Sequence, residues 1–290
     1  MHAVKKLLFQ FDTDSHPASF DTVVAYDGGA DHVIGHANLT PDNVGPLVDG
    51  TIFTRAPKDK KNTAIFIGGS DLQAGEALLA AVTARFFADF RVSVMLDSNG
   101  SNTTAAAGVA RIASSTEVRG KRAVVLAGTG PVGQRAAALL AKEGAQVVLT
   151  SRALARARAA CEAMKRRFGV EITPVEAIDN AARAAVIEDA HIVFATGAAG
   201  VQLLEESQWR DLPRLEVLVD ANATPPLGIE GVDMMDRGTE RHGKICWGAI
   251  GFGTLKLAVH RACIAKLFER NDRVLDAEEI YAIAKEMAAA

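Results

Sequence analysis

The sequence predicts an α/β protein with two domains, each built on a largely parallel sheet. The chain has 290 residues, a length that favours about two domains. Short apolar runs alternate with helical patterns along nearly the whole chain, which is typical of parallel sheets flanked by helices. In addition, residues 121–134, KRAVVLAGTGPVGQ, place a glycine-rich turn between an apolar run and an alanine-rich helical pattern.

The first third of the chain alternates strand and helix patterns. The predicted strands cover 6–11, 33–37, 63–67 and 92–96, and the predicted helices cover 20–28 and 72–87. Thr40 and Pro41 predict a further helix start, because threonine is a favoured N-cap and proline is favoured at the first helical position. His32 and His36 lack a matching ligand set, so they indicate a solvated loop or helix start, and no metal site is predicted.

A polar run, 97–104 with the sequence DSNGSNTT, follows the fourth strand and precedes a small-residue helix predicted at 105–115. A loop at the carboxyl end of a strand faces the crevice where α/β proteins bind ligands. The run is therefore either a binding loop or a solvated linker with a helix cap, and both interpretations stay open. The predicted domains are 1–104 together with 256–290, and 105–255.

The glycine-rich turn fits the dinucleotide fingerprint of a Rossmann-like, doubly wound domain, with a strand at 123–127, a helix at 134–142 and a strand at 145–150. Its first glycine permits the tight turn, its second lets the backbone approach a pyrophosphate, and its third lets helix and strand pack closely. The phosphates would meet the positive end of the helix dipole. The predicted cofactor contacts in this turn are Gly128, Thr129, Gly130, Pro131, Val132 and Gly133.

The pattern of strand, polar turn and helix then repeats. Strands are predicted at 171–175, 191–196 and 217–220, and helices at 151–168 and 180–187. Residues that follow two of these strands are further candidate cofactor contacts: Thr196, Gly197, Ala198 and Asn222. Beyond them, the glycines of 248–253 predict a turn before a helix at 255–270, and Asp276 predicts the cap of a last helix at 277–287. We expect these two helices to return to the N-terminal domain and brace the cleft.

The end of the second strand of the fingerprint unit selects the nucleotide. NAD-selective proteins usually place Asp or Glu there for the ribose 2′-hydroxyl. This chain has Ser151 and Arg152, with Arg156 one helical turn further on, and no carboxylate in the neighbouring sequence. A hydrogen bond to a charged group contributes about 1.5–3 kcal/mol, so these residues predict a preference for the 2′-phosphate of NADP.

Composition excludes several classes of protein. The formal charge is −3 and no Lys/Arg run suggests a nucleic-acid footprint, so no nucleic-acid partner is predicted. The 3 cysteines are widely spaced, which favours a reduced cytosolic setting. The N-terminal sequence lacks signal-peptide character and no apolar run approaches the length of a membrane span, so we expect no membrane association.

Several segments together resemble the NADP-dependent methylene-tetrahydromethanopterin/methylene-tetrahydrofolate dehydrogenases of methylotrophic bacteria. The matching text includes KKLLFQFDTD, YDGGADH, LTPDNVG, MLDSNGSNTTAAAGVA, KRAVVLAGTGPVG and HRACIAKLFE, and it spans essentially the whole chain. The resemblance implies an N-terminal pterin-binding domain joined to an NADP-binding domain. It also implies oxidation of the methylene carrier to the methenyl form in C1 metabolism, and a trimer-based homo-oligomer.

That chemistry explains why no His/Asp general-base pair is needed. A methylene group between two nitrogens can lose hydride directly, because the nitrogen lone pairs stabilise the cation, so the protein positions the reactants and matches the developing charge. Asp21 and Lys256 are the predicted catalytic residues, although Lys256 could equally be a snorkelling surface lysine. The predicted substrate-binding residues are Asp12, Asp14, Asp97, Ser98, Asn99, Ser101, Asn102 and Thr103.

Three alternatives remain. Folate dehydrogenase-cyclohydrolases use a Tyr-x-x-x-Lys pair early in the chain, whereas the match here, Tyr281 and Lys285, is predicted to be a surface pair of the last helix, so no cyclohydrolase activity is expected. Shikimate-type dehydrogenases need a Lys–Asp pair, and no matching lysine motif occurs early in this chain. A catalytically silent NADP-sensing protein is the third alternative. The sequence does not rank tetrahydrofolate against tetrahydromethanopterin.

Overall fold

The computed structural model describes residues 4–289. In chain order the regular elements are β1 (Leu7–Asp12), α1 (Ser19–Asp27), β2 (His32–His36), α2 (Gly45–Phe53), β3 (Thr63–Gly68), α3 (Leu72–Ala84), β4 (Ser93–Leu96), α4 (Ser101–Ser115), β5 (Arg122–Leu126), α5 (Pro131–Lys142), β6 (Gln146–Ser151), α6 (Leu154–Phe168), β7 (Thr173–Glu176), α7 (Asn180–Ile187), β8 (Ile192–Ala195), β9 (Val217–Asp220), β10 (Arg237–Arg241), β11 (Lys244–Trp247), α8 (Ala249–Leu267), β12 (Val274–Leu275) and α9 (Ala277–Ala289).

The chain divides into two units, one formed by Met1–Thr103 with Leu257–Ile283 and the other by Thr104–Lys256 with Ala284–Ala290. The predicted first domain included all of 256–290, whereas the end of α9 groups with the second unit. None of the helices in the described part of the chain is long and apolar enough to cross a membrane.

The sheet of the first unit has the order β12-β4-β3-β1-β2, and all its strands run parallel. From β1 the chain builds the sheet first to one side, with β2, and then to the other, with β3, so a topological switch point lies between β1 and β3. In the register of these two strands, Asp12 pairs with Gly68 at the carboxyl end. Side chains of the sheet pack on α2 and α3 through Phe11, Ile65, Ile67, Val94, Leu96, Val48, Ile52, Leu78 and Val82.

The sheet of the second unit has the order β10-β11-β9-β8-β5-β6-β7. Its strands are parallel apart from the antiparallel pair of β10 and β11. The chain adds β6 and β7 on one side of β5 and then β8 and β9 on the other, so the switch point lies between β5 and β8. This is the doubly wound arrangement that binds ligands at the carboxyl ends of its strands.

The predicted fold class is confirmed, with the C-terminal segment contributing to the first unit. β12 pairs with β4, and Ser93 Oγ donates a hydrogen bond to the Arg270 carbonyl at 2.8 Å. Arg261 on α8 forms a 2.7 Å salt bridge with Asp27 at the end of α1. The sequence patterns did not predict β12 or the β10–β11 hairpin, because these strands are short or carry many polar residues.

Three local predictions were wrong. Thr40 and Pro41 do not begin a helix, because the Asn43 side chain closes a turn by accepting the Thr40 N–H at 2.8 Å and α2 begins only at Gly45. The polar run 97–104 was predicted as a binding loop or linker before a helix at 105–115, but its second half is helical, because α4 already begins at Ser101. The pair His32 and His36 lies in strand β2, not in a loop or helix start.

Candidate functional site

The switch point of the second unit collects the turns that follow β5, β6, β8 and β9. The fingerprint turn lies directly after β5, and Thr196 follows β8 beside it. Thr196 Oγ1 donates a 3.0 Å hydrogen bond to the Leu126 carbonyl at the end of β5. On the other side, Ala127 N–H donates to Thr150 Oγ1 and Gly128 N–H to the Thr150 carbonyl, both at 2.9 Å. The neighbouring strand ends therefore hold the fingerprint turn from both sides.

Each glycine of the fingerprint has a different environment. A β-carbon at Gly133 would lie 2.5 Å from the Gly128 Cα, a backbone contact that only glycine permits. A β-carbon at Gly128 would lie 2.9 Å from side-chain atoms of Val125 and Leu149. At Gly130, by contrast, a β-carbon would have no atom of residues 4–289 within 4 Å beyond its own chain neighbours. Gly130 is the N-cap of α5, so open space adjoins the N–H groups that helix geometry leaves without intrahelical partners.

The end of β6 carries the residues predicted to select the nucleotide. Ser151 is buried, and its Oγ accepts the Ala153 N–H at 3.3 Å, while Arg152 and Arg156 are exposed. A carboxylate lies beside these residues in the fold, although the neighbouring sequence contains none. Glu176, at the end of β7, is the register partner of Ser151. Sheet pairing brings this residue to the site from a distant part of the sequence.

After β9, two buried side chains shape the loops at the carboxyl edge. Asp220 accepts the Asn222 N–H at 3.0 Å and the Ile229 N–H at 2.9 Å. Burial raises the pKa of Asp220, and these N–H donors oppose the shift. Asn222, a predicted cofactor contact, accepts the Thr224 N–H at 2.9 Å and donates to the Pro226 carbonyl at 3.0 Å. Its amide therefore bonds mainly its own loop, and its oxygen also accepts the Gly200 N–H at 3.4 Å from the segment after β8. Sequence reasoning missed Asp220, although its place at the end of a buried strand was a usable signal.

Gly197 and Ala198, the predicted cofactor contacts that follow β8, have different surroundings. Ala198 is exposed to solvent. A β-carbon at Gly197 would lie 3.0 Å from the Leu203 side chain. Gly197 therefore permits close packing of the turn after β8.

The glycine-rich segment before Lys256 is helix, which corrects the predicted turn. α8 begins at Ala249, and a β-carbon at Gly248 or Gly251 would lie 2.0 Å or 1.7 Å from the carbonyl oxygens of Asp233 or Asp236. These two glycines therefore serve packing within the chain. Lys256 lies about two turns into the helix and is half-buried, so it is not held against the positive end of the helix dipole.

The switch point of the first unit holds the predicted acidic residues of the first crossover. Asp12 is fully buried and accepts the Asp14 N–H at 2.9 Å and the Ala18 N–H at 3.2 Å. Burial raises the pKa of Asp12, and the two N–H donors oppose the shift. Asp14 binds Ser70 after β3, accepting its N–H at 3.0 Å and its hydroxyl at 2.9 Å. Both carboxylates thus fix the turns around the carboxyl ends of β1 and β3.

Asp21 lies in the first turn of α1, where the helix dipole favours a carboxylate. A β-carbon at Gly68 would be 3.1 Å from Asp12 Oδ2 and 3.5 Å from Asp21 Oδ2. Two carboxylates therefore face the same small space above the end of β3.

The run 97–103 is tightly bonded. Asp97 accepts the Thr103 hydroxyl at 2.6 Å and the Thr103 N–H at 3.0 Å. Further bonds include Ser98 Oγ to the Gly68 carbonyl at 3.3 Å, Ser101 Oγ to the Ser98 carbonyl at 2.7 Å, and Asn102 Nδ2 to the Leu96 carbonyl at 2.6 Å. Asn102 Nδ2 also donates to Asp276 Oδ1 at 2.9 Å. Asn99 differs, because its side chain is exposed and its backbone is left-handed, with φ 56°.

His260 on α8 was missed by sequence reasoning. It is fully buried, its ring stacks on Phe66 at 5.4 Å between centroids, and its Nδ1 lies 3.9 Å from Asp97 Oδ2. It stands four residues after Lys256, one turn along the same helix, which was the only sequence signal available.

Comparison with known proteins identifies the family. Residues 19–99 match the family model described as methylene-tetrahydromethanopterin dehydrogenase, N-terminal, and residues 116–229 match a putative NAD(P)-binding model. The bifunctional protein MdtA of Methylorubrum extorquens is 59% identical over 98% of this chain and 99% of its own length. This chain belongs to the methylene-tetrahydromethanopterin dehydrogenase family. As a member, it is an oxidoreductase of one-carbon metabolism with a nicotinamide-dinucleotide-binding domain.

A second relative of this dehydrogenase, the NAD(P)-dependent methylenetetrahydromethanopterin dehydrogenase of the same organism, is 32% identical over 98% of this chain and 99% of its own length. Among solved structures, ligand-free 5-ketofructose reductase of a Gluconobacter strain matches with a TM-score of 0.53 and 14% identity, covering 98% of this chain and 99% of that chain. This likeness shows the shared two-domain α/β fold.

The prediction that Tyr281 and Lys285 form a surface pair was wrong for Tyr281, whose side chain is buried at 6% exposure. Lys285 is exposed and forms a 2.8 Å salt bridge with Glu143.

Proposed function

We propose that the protein oxidises the methylene group of a reduced pterin C1 carrier to the methenyl form, with NADP as the hydride acceptor. The carrier is methylene-tetrahydromethanopterin, methylene-tetrahydrofolate or both. Membership of the dehydrogenase family supports the reaction class, and the relative that is 32% identical is named as a methylenetetrahydromethanopterin dehydrogenase. The observation that carries the cofactor proposal is the open space at Gly130 beside the start of α5.

The fingerprint turn fits a dinucleotide. The space at Gly130 lets a pyrophosphate reach the N–H groups of the first turn of α5, which also carry the positive end of the helix dipole. Arg152 and Arg156 are exposed at the end of β6 and the first turn of α6, where two guanidiniums and the Ser151 hydroxyl can hold a 2′-phosphate. When bound, the nicotinamide ring accepts the hydride.

Two carboxylates of the first unit would support cation formation in the pterin, and Lys256, which belongs to the second unit, would act with them. The Asp21 carboxylate, which faces the space above Gly68 together with Asp12, would stabilise positive charge that develops between the two pterin nitrogens. Lys256 would orient the pterin by donating to a carbonyl or ring nitrogen. No proton leaves a hydroxyl in this reaction, so none of these residues needs to act as a general base.

In this proposal, residues 1–104 and 256–290 bind the pterin, and residues 105–255 bind the nucleotide. We also propose a trimer-based homo-oligomer, which light scattering coupled to size-exclusion chromatography tests directly.

The decisive experiment follows the absorbance of reduced nicotinamide with each carrier paired with each nucleotide. We expect turnover with NADP and at least one methylene carrier, and much weaker turnover with NAD. NADP binding without turnover on either carrier would favour the NADP-sensing alternative. Release of the hydrolysed carrier instead of the methenyl form would contradict the predicted absence of cyclohydrolase activity.

A further inference from the structure

Glu176 is a carboxylate at the place where the 2′-phosphate of NADP is proposed to bind. It ends β7 beside Ser151 of β6, and the Ala177 N–H donates to the Ser151 carbonyl at 2.8 Å, which fixes this register. Its Oε1 accepts the N–H of Leu154, the first residue of α6, at 3.0 Å. The carboxylate thus takes a donor at the positive end of the α6 dipole.

The local sequence leaves this position open for Glu176. The N-cap of α6 is Ala153, which has no side-chain acceptor, and the first turn of α6 contains no acidic residue. The Ser151 hydroxyl oxygen accepts the Ala153 N–H, and the Glu176 carboxylate accepts the N–H of the next residue, Leu154. An anion from another strand therefore supplies the cap that α6 itself lacks.

We propose that Glu176 is a specificity-determining residue that competes with the 2′-phosphate for the start of α6 and so limits the preference for NADP over NAD. This inference rests on the proposed function. The Glu176 side chain is exposed, so it can turn away when a phosphate binds, but its negative charge still opposes the phosphate. With NAD, the same carboxylate can accept a hydrogen bond from the ribose 2′-hydroxyl.

The test uses Glu176→Gln, because the amide oxygen can still accept the Leu154 N–H while the charge is removed. Glu171→Gln is the matched control. It makes the same charge change before β7, at an exposed residue that binds Lys165 at 2.7 Å. Binding is measured by calorimetry for NADP, NAD, adenosine 2′,5′-bisphosphate and adenosine 5′-monophosphate, so the result does not depend on the pterin reaction.

We expect Glu176→Gln to tighten NADP and the bisphosphate about threefold to tenfold, the range of an exposed interaction with a group of charge near −2. Raising the ionic strength should shrink this gain, which a purely structural cap would not do. NAD and the monophosphate should stay within about twofold, since neither carries the 2′-phosphate and the amide oxygen can still accept the ribose 2′-hydroxyl. Glu171→Gln should match the wild type.

Unchanged or weaker NADP binding in Glu176→Gln, with the wild type still preferring the bisphosphate to the monophosphate, would overturn this inference alone. A wild type that binds the two fragments equally would overturn the proposed NADP selection and this inference with it.

Discussion

Gly130→Val separates cofactor binding from folding better than any other change in the fingerprint. The backbone of Gly130 has φ −77° and ψ 172°, which valine adopts without strain. Beyond its own chain neighbours, a β-carbon there meets no atom of the described residues within 4 Å. The cost to folding is limited to a poorer N-cap for α5, about 0.5–1 kcal/mol. For a protein of 290 residues, that lowers Tm by about 1–2 °C.

The same side chain would fill the space proposed for the pyrophosphate. Losing two hydrogen bonds from N–H groups to a charged phosphate, at about 1.5–3 kcal/mol each, weakens NADP binding by a factor of about one hundred to ten thousand. The assay is a calorimetric titration of NADP beside a thermal melt of the free protein. In the same melt, the rise in Tm that saturating NADP produces in the wild type should disappear from Gly130→Val.

Gly133→Ala is the matched control, because we expect it to lower the stability of the free protein, which Gly130→Val should hardly change. Its β-carbon would lie 2.5 Å from the Gly128 Cα and 2.6 Å from the Gly128 carbonyl oxygen. Backbone atoms cannot yield as a flexible side chain does, so we expect a loss of about 1–3 kcal/mol in stability. A Gly130→Val protein that melts like the wild type and still binds NADP within threefold would refute the reasoning, because the glycine would then serve neither packing nor phosphate approach.

Three further predictions concern single side chains. Arg152→Glu should raise the KM for NADP about tenfold to a hundredfold and leave the KM for NAD little changed, while Arg158→Glu, further along α6, should not alter the ratio of the two. Lys256→Ala should lower turnover about a hundredfold in steady-state assays with both carriers while NADP affinity stays constant, and turnover within threefold of the wild type would make it a surface lysine. Burial favours a higher pKa for Glu216, but its bonds to Lys121 and Thr116 outweigh it and lower the pKa. Its stabilising contribution is therefore present above its unfolded pKa and lost as pH falls through the lower folded value. In thermal melts at decreasing pH, the Tm of the wild type should fall more than the Tm of Glu216→Gln. An equal fall in both proteins would contradict the pKa direction.

The sequence by itself determined the α/β class and the main element order, because both follow from local patterns. Helix α7 and strand β9 lie at the residues that periodicity predicted. The fingerprint was equally local, since a strand, a glycine turn and a helix follow one another in the chain, and the close contact at Gly133 lies within that one turn.

The sequence misled where a local signal was outweighed by contacts from distant residues. The glycines before Lys256 resemble a turn, yet Gly248 and Gly251 lie inside or beside α8 because the segment around Asp233 and Asp236 packs against them. Thr40 has the character of an N-cap, but Asn43 captures its N–H and the helix begins later.

Only the tertiary structure decided which side chains share a site. Glu176 reaches the end of β6 through strand register, and His260 reaches Asp97 because α8 returns to the first unit. It also decided that Asn222 bonds its own loop. The physical reason is that periodicity and turn chemistry act over a few residues, whereas sheet order, register and burial depend on which distant segments bury apolar surface together.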